Sequence, residues 1–269
     1  MKRALLALVL VAAAGLVGWR VLRPASLLSP GSIPPAPVVG PGVTGRTASP
    51  PLLVDGRLRV FASKRQVRAD GPISLKTMYT PSWSFRRWPQ QVSGVVAAGT
   101  TVVSRWSDGL LVAVDGLTGR ELWRAGGPAA GGFTDARTAV WSPPGLFATA
   151  DTVLVSFRGR VRAFAAATGA SLWERDCAGP VCGGVTLRSA GSFGPVTGPF
   201  EITADRRLVI RSASGAVVAD FPLKTDREKS TDWTAGGWQL AGKYLAIERF
   251  KPDGTPFAPE RVVIASLGP

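Results

Sequence analysis

Ala113-Val114-Asp115-Gly116-Leu117-Thr118-Gly119-Arg120-Glu121-Leu122-Trp123 is the stretch whose reading decides the fold. Leu110 to Val114 is a short apolar, β-branched run, which reads as a strand. Thr118-Gly119 supplies a tight turn, because glycine takes positive φ without a steric penalty. From Arg120 the chain alternates polar and apolar and closes on the bulky pair Leu122-Trp123. A hairpin of this size does not stand alone in water, so it belongs to a larger sheet.

The stretch recurs as Ala163-Phe164-Ala165-Ala166-Ala167-Thr168-Gly169-Ala170-Ser171-Leu172-Trp173, with Thr-Gly and Leu-Trp at the same mutual spacing. A period of roughly 40–50 residues with several strands per unit marks the blades of a propeller. The pattern Ala-x-Asp-x-x-Thr-Gly-x-x-x-Trp resembles the PQQ-like repeats of bacterial quinoprotein dehydrogenases and BamB-like envelope propellers. The resemblance implies that Ala113, Asp115, Thr118, Gly119 and Trp123 hold the repeat's places in one blade. Ala163, Thr168, Gly169 and Trp173 hold them in the next. It also implies that Thr-Gly closes the turn between the two outer strands, and that each tryptophan docks against the neighbouring blade, placing Trp123 and Trp173 in equivalent seats. Ala165 stands where the repeat has Asp, which implies a turn with one hydrogen bond fewer. This is a packing motif, so it speaks for the fold and says little about function.

On the N-terminal side, residues 1–23 read as a targeting segment. Lys2 and Arg3 precede an apolar run from Ala4 to Trp19, bounded by Arg20 and Arg23. The run is longer than a signal-peptide core of roughly 7–15 residues and approaches the ~20 of a membrane span. It is read as an uncleaved signal anchor, a single transmembrane helix, rather than as a cleaved signal. Residues 24–51 are rich in proline and glycine, which predicts a disordered linker that sustains no sheet or helix. Residues 52–269 then form the propeller. At roughly 45 residues per blade this gives about four to five four-stranded blades, an all-β domain. The first strands, residues 52–61, are expected to pair with the last, 261–266, because an open ring would expose strand edges. The segment from Ile73 to Met78 is a further expected strand.

Trp83-Ser84-Phe85 is expected to lead into the blade of residues 81–125. With Arg86, Arg87 and Trp88 it places aromatics among bases. That pattern suits a surface for stacking nucleic acid or glycan, but inter-blade packing of the rings explains it as well. For an exported chain nucleic acid is not an expected partner. Thr138 to Trp141 is read as a strand of the following blade. Arg158, Arg160 and Arg162 alternate with Gly159, Val161 and Ala163, which in a strand puts three guanidinium groups on one face. Such a stripe offers either a solvated face or an anion-binding surface for a carboxylated or phosphorylated envelope polymer.

Cys177 and Cys182 are the two cysteines of the chain. In an exported protein they read as a disulfide closing a short loop. A metal site would need more ligands than two thiols in a chain with no histidine. The missing histidine also removes His-dependent triads and the usual general base near neutral pH. Carboxylates such as Asp55, Asp70, Asp108, Asp115 and Asp253 are scattered and sit mostly at turns, and nothing in the sequence pairs two of them for glycosidase chemistry. No cofactor or metal is therefore expected.

The net charge of +14 favours anionic partners. The function expected is a non-enzymatic scaffold anchored in the cell membrane, with its propeller on the extracytoplasmic side. Its loops would meet a protein partner or an envelope polymer. The alternative is a reduced quinoprotein that binds PQQ, which would need a calcium site, an aromatic floor and more blades than this chain supplies.

Overall fold

Two windows free of proline within residues 24–51 become strands, β1 (Ala25–Ser29) and β2 (Gly42–Thr47). The computed structural model describes residues 25–72, 81–177, 179–193, 196, 199–224 and 232–268. The membrane segment expected over residues 1–23 and the strand expected from Ile73 to Met78 lie outside them. The two strands correct the reading of residues 24–51 as an unstructured linker. Proline is excluded from ladder interiors but not from the chain between edge strands. The stretch between the strands is also held, since Gly31 and Ile33 donate their N–H groups to the carbonyls of Thr118 (3.2 Å) and Leu117 (2.7 Å).

The remaining strands fall into successive antiparallel sheets. β3 (Leu52–Val54), β4 (Leu58–Ser63), β5 (Gln66–Asp70) and β6 (Trp83–Trp88) form the first blade, with β1 added at its outer edge in the order β1-β6-β5-β4-β3. β7 (Val92–Ala98), β8 (Thr101–Trp106), β9 (Leu111–Asp115) and β10 (Glu121–Ala125) form the second. A short helix, α1 (Ala136–Trp141), precedes the third blade, made of β11 (Leu146–Ala148), β12 (Thr152–Phe157), β13 (Arg160–Ala165) and β14 (Ser171–Asp176).

After a small hairpin of β15 (Val181–Cys182) and β16 (Val185–Thr186) comes β17 (Ser192–Phe193). A three-stranded sheet follows, β18 (Phe200–Ile202), β19 (Arg207–Arg211) and β20 (Val217–Pro222). The last blade contains β21 (Thr234–Ala241), β22 (Tyr244–Phe250) and β23 (Val262–Ser266), in the order β17-β21-β22-β23-β2.

Three expectations are corrected here. The terminal strand β23 does pair with the N-terminal part of the chain, but with β2, in a register that sets Arg46 opposite Val263 and Thr47 opposite Val262. Residues 52–61 instead pair among themselves and with β5. Trp83-Ser84-Phe85 does not lead into the second blade; it lies in β6, paired with β5 and β1 in the first. Thr138 to Trp141 is helical. Asp135 caps the helix, accepting from Thr138 N (3.0 Å) and Thr138 Oγ1 (2.6 Å), and this N-cap favours helix over the strand preference of Thr138, Val140 and Trp141.

The core is apolar and shared between neighbouring sheets. One cluster joins the first, second and last blades to α1 through Leu58, Val95, Trp106, Val140, Trp141 and Ile264. A second joins the second and third blades through Val103, Ala113, Trp123, Val153 and Phe164. A third joins the three-stranded sheet to the last blade through Leu208, Trp233, Leu245 and Val263. Trp141 ties α1 down by donating its indole N–H to the carbonyl of Pro51 at 2.7 Å.

Candidate functional site

The repeat motif builds the joints between blades. In the second blade Asp115 N donates to Arg120 O and Gly119 N to Asp115 O, both at 2.8 Å, with Gly119 at φ +67°. The carboxylate of Asp115 adds bonds from Leu117 N (2.8 Å) and Thr118 N (3.3 Å). The third blade repeats the backbone pattern, Ala165 N to Ala170 O and Gly169 N to Ala165 O, again at 2.8 Å. Ala165 has no side-chain acceptor, so the two carboxylate bonds are missing there.

Each turn seats a tryptophan from the preceding blade. Trp123 donates to Ala166 O at 2.7 Å, and Trp83 donates to Gly116 O at 2.7 Å. Gly116 and Ala166 hold the same place in the repeat. The equivalent seats therefore belong to Trp83 and Trp123, which corrects the pairing of Trp123 with Trp173. Trp173 lies at the matching strand position but is half-buried, packed beside Leu154, Val161 and Cys182. The next turn, Ser214-Gly215, has nothing within 4 Å of where a Cβ on Gly215 would be. The signal for Trp83 was present in its spacing ahead of Trp123, but no Thr-Gly precedes it in register to announce a repeat.

Cys177 and Cys182 form the disulfide expected of them, with Cα atoms 5.6 Å apart. The arginine stripe is not a stripe. Arg158 lies in the β12–β13 turn at φ +50° and stacks on Phe157 at 5.0 Å. Arg162 is bound to Glu174 at 2.6 Å, and Arg160 lies 3.2 Å from both Glu174 and Asp176. Strand β14 thus supplies the carboxylates that neutralise β13, and the arginines hold the Glu174 carboxyl below its ordinary pKa, chiefly through the Arg162 hydrogen bond.

The carboxylates singled out in the sequence do not converge. Asp55 pairs with Arg57, Asp108 with Arg87 through two bonds of 2.9 and 2.8 Å, and Asp253 accepts from Thr255. Asp70 is buried on β5 rather than placed at a turn, and burial pushes its carboxyl up, against the pull of Arg68 and Arg59. Sequence reasoning missed Glu248, which is fully buried on β22 and accepts from Arg261 Nε at 2.6 Å and from Arg137 of α1 at 3.4 Å. That group joins the helix to the last blade. Among the described residues no set of three or more His, Cys, Asp or Glu is placed to hold a metal ion.

Two surface features remain open. The sheet β18-β19-β20 has three strands, and among the described residues nothing pairs with the outer side of β20. There Val217 is 55% and Val218 is 65% exposed. On the first blade, a groove of about 550 Å³ is lined by Ala25, Leu27, Lys64, Arg65, Arg86 and Trp88. The aromatic-basic run thus divides: Trp83 and Phe85 are buried, while Arg86 and Trp88 face outward.

No curated protein matches the chain. Among solved structures, BamB from Moraxella catarrhalis is similar over 85% of this chain and 61% of that one, with 18% identity and a TM-score of 0.34. A computationally designed protein, Ika8, is similar over 80% of this chain and 57% of its own, with 17% identity and a TM-score of 0.29. The chain thus spans about three-fifths of those structures. A family model described as outer membrane protein assembly factor BamB matches residues 80–256. That range holds both copies of the Thr-Gly…Trp motif, and on this match the chain belongs to the BamB-like family of PQQ-like repeat proteins.

Proposed function

We propose that this protein is a non-enzymatic interaction scaffold, a small five-bladed propeller that receives a protein partner along an open sheet edge. The observation that carries the reading is β20. A strand whose outer N–H and C=O groups lack a neighbour among the described residues, and whose exposed side chains include two valines, suits the addition of a partner's strand. Backbone pairing would supply affinity and the valines apolar contact. Of the arginines that would have met an anionic polymer, Arg160 and Arg162 are held by Glu174 and Asp176 and Arg158 stacks on Phe157, so a protein is the partner we favour.

We further propose that residues 1–23 anchor the chain in the cell membrane with the propeller outside the cytoplasm. The apolar run Ala4–Trp19 supports the anchor. The Cys177–Cys182 disulfide supports an oxidising compartment.

The test is a photo-crosslinker placed at residue 218 of the full chain in living cells, with residue 240 of β21 as control. A discrete protein adduct at 218 and none at 240 is expected. Equal adducts at both positions, or none at 218, overturn the edge as the docking site.

A further inference from the structure

The chain enters the described structure at Ala25, and β1 begins with that residue. Its register sets Ala25 opposite Trp88 and Leu27 opposite Arg86. The site where the chain arrives from its N-terminal apolar segment is therefore the site of the groove on the first blade. Around it, Arg65 stacks over the Trp88 ring at 3.7 Å, and Lys64, Arg65, Arg86 and Arg87 all line the groove. Arg87 is held by Asp108. Lys64, Arg65 and Arg86 have no carboxylate partner among the described residues; Arg86 faces only the amide of Gln66, at 3.1 Å. Leu27 and Trp88 are 63% and 43% exposed beside them.

We infer that this face of the first blade lies on the bilayer and binds the headgroups of anionic phospholipids. The inference rests on the proposed membrane anchor. One residue, Pro24, separates Arg23 from β1, so an anchor ending near Arg23 leaves no stalk, and the groove is held at headgroup depth. The side chains fit that place. Unpaired cations meet phosphate, an exposed tryptophan suits the interface, where aromatic rings collect, and Leu27 enters the acyl boundary. An acidic protein would satisfy the charges but would leave Leu27 and Trp88 beside the membrane without an account.

The test uses the full chain in two kinds of lipid, phosphatidylcholine alone and phosphatidylcholine with phosphatidylglycerol, read by hydrogen–deuterium exchange and by alkaline extraction. The expected result is a chain that resists extraction from both. Residues 63–66 and 86–88 should exchange severalfold more slowly with phosphatidylglycerol, an effect lost in a Lys64→Ser, Arg65→Ser, Arg86→Ser variant and weakened at high salt. Resistance to extraction with equal exchange in both lipids overturns the headgroup site and leaves the anchor standing. Extraction from both lipids with binding only to phosphatidylglycerol overturns the anchor and leaves the site standing. Binding to neither overturns both.

Discussion

The ring of Trp123 lies so close to Gly169 that a Cβ on the glycine would stand 2.6 Å from it. Trp83 crowds Gly119 in the same way, its Cβ 2.6 Å and its ring Cγ 2.9 Å from where a Cβ on that glycine would stand. Both glycines also occupy positive φ, +67° at Gly119 and +72° at Gly169. The glycine thus serves two needs at once, the turn's conformation and the seat of the neighbouring indole. Trp123→Ala is expected to cost about 3–5 kcal/mol, for the ring and the hydrogen bond to Ala166 together. Gly169→Ala should cost at least ~1 kcal/mol from the backbone alone. Trp173→Ala should cost clearly less than Trp123→Ala. Denaturant melts of the three variants check the order, and equal losses at Trp123 and Trp173 would contradict the two different surroundings.

The two turns differ by one carboxylate and form a natural pair of experiments. Asp115→Ala should lose about 1 kcal/mol, since Leu117 N and Thr118 N lose their acceptor. Ala165→Asp should gain a few tenths to about 1 kcal/mol, because its backbone already adopts the same turn. A loss at Ala165→Asp would show that the third blade's turn is not the equivalent it resembles.

Glu248 is fully buried against Arg137 of α1 and Arg261, the residue just before β23. Arg261→Met should destabilise by roughly 3–5 kcal/mol, because the carboxylate is then left with only the more distant Arg137. Adding Glu248→Gln to that variant should recover part of the loss. A double variant no more stable than the single would place the damage elsewhere.

Two aspartates give acid responses of opposite sign. The Asp108 carboxyl sits below its ordinary value of 3.8, first because of its hydrogen bond with Arg87. Its contribution is present above that value and is lost as pH falls through the lower folded-state pKa. Asp70 is raised above 3.8 by burial. Its contribution is complete below 3.8 and is lost as pH rises through the higher folded-state value. Asp70→Asn, which stays neutral, should therefore gain on the native chain as pH rises from about 4 to 7. Asp108→Asn should flatten the loss of stability below about pH 4. Urea melts across this range test both, and parallel curves for Asp70→Asn and the native chain would exclude a raised carboxyl.

The Cys177–Cys182 bridge closes a short loop next to the hairpin β15–β16. Replacing both cysteines by serine should cost roughly 2 kcal/mol by loop-closure entropy. The cost should disappear when both proteins are measured in reductant, which separates the bond itself from the packing of the Cys182 side chain.

The sequence by itself determined the repeat, the motif hairpins of the second and third blades, the turn chemistry of Asp115, Thr118 and Gly119, and the disulfide. These features are local. A strand, a turn and a short disulfide loop are specified by periods of two, by positive φ and by cysteine spacing within a few residues of each other. What tertiary structure alone decided is every pairing made at long range. The closure of the last blade by β2 rather than residues 52–61, the transfer of β6 to the first blade, the seat of Trp83, and the neutralisation of Arg160 and Arg162 by β14 all depend on which edges meet. Hydrophobic alternation tells a strand which face is inward, but it is nearly the same for every strand, so it cannot name the neighbour. The neighbour is chosen by shape and charge across the sheet, and those exist only once the chain has folded.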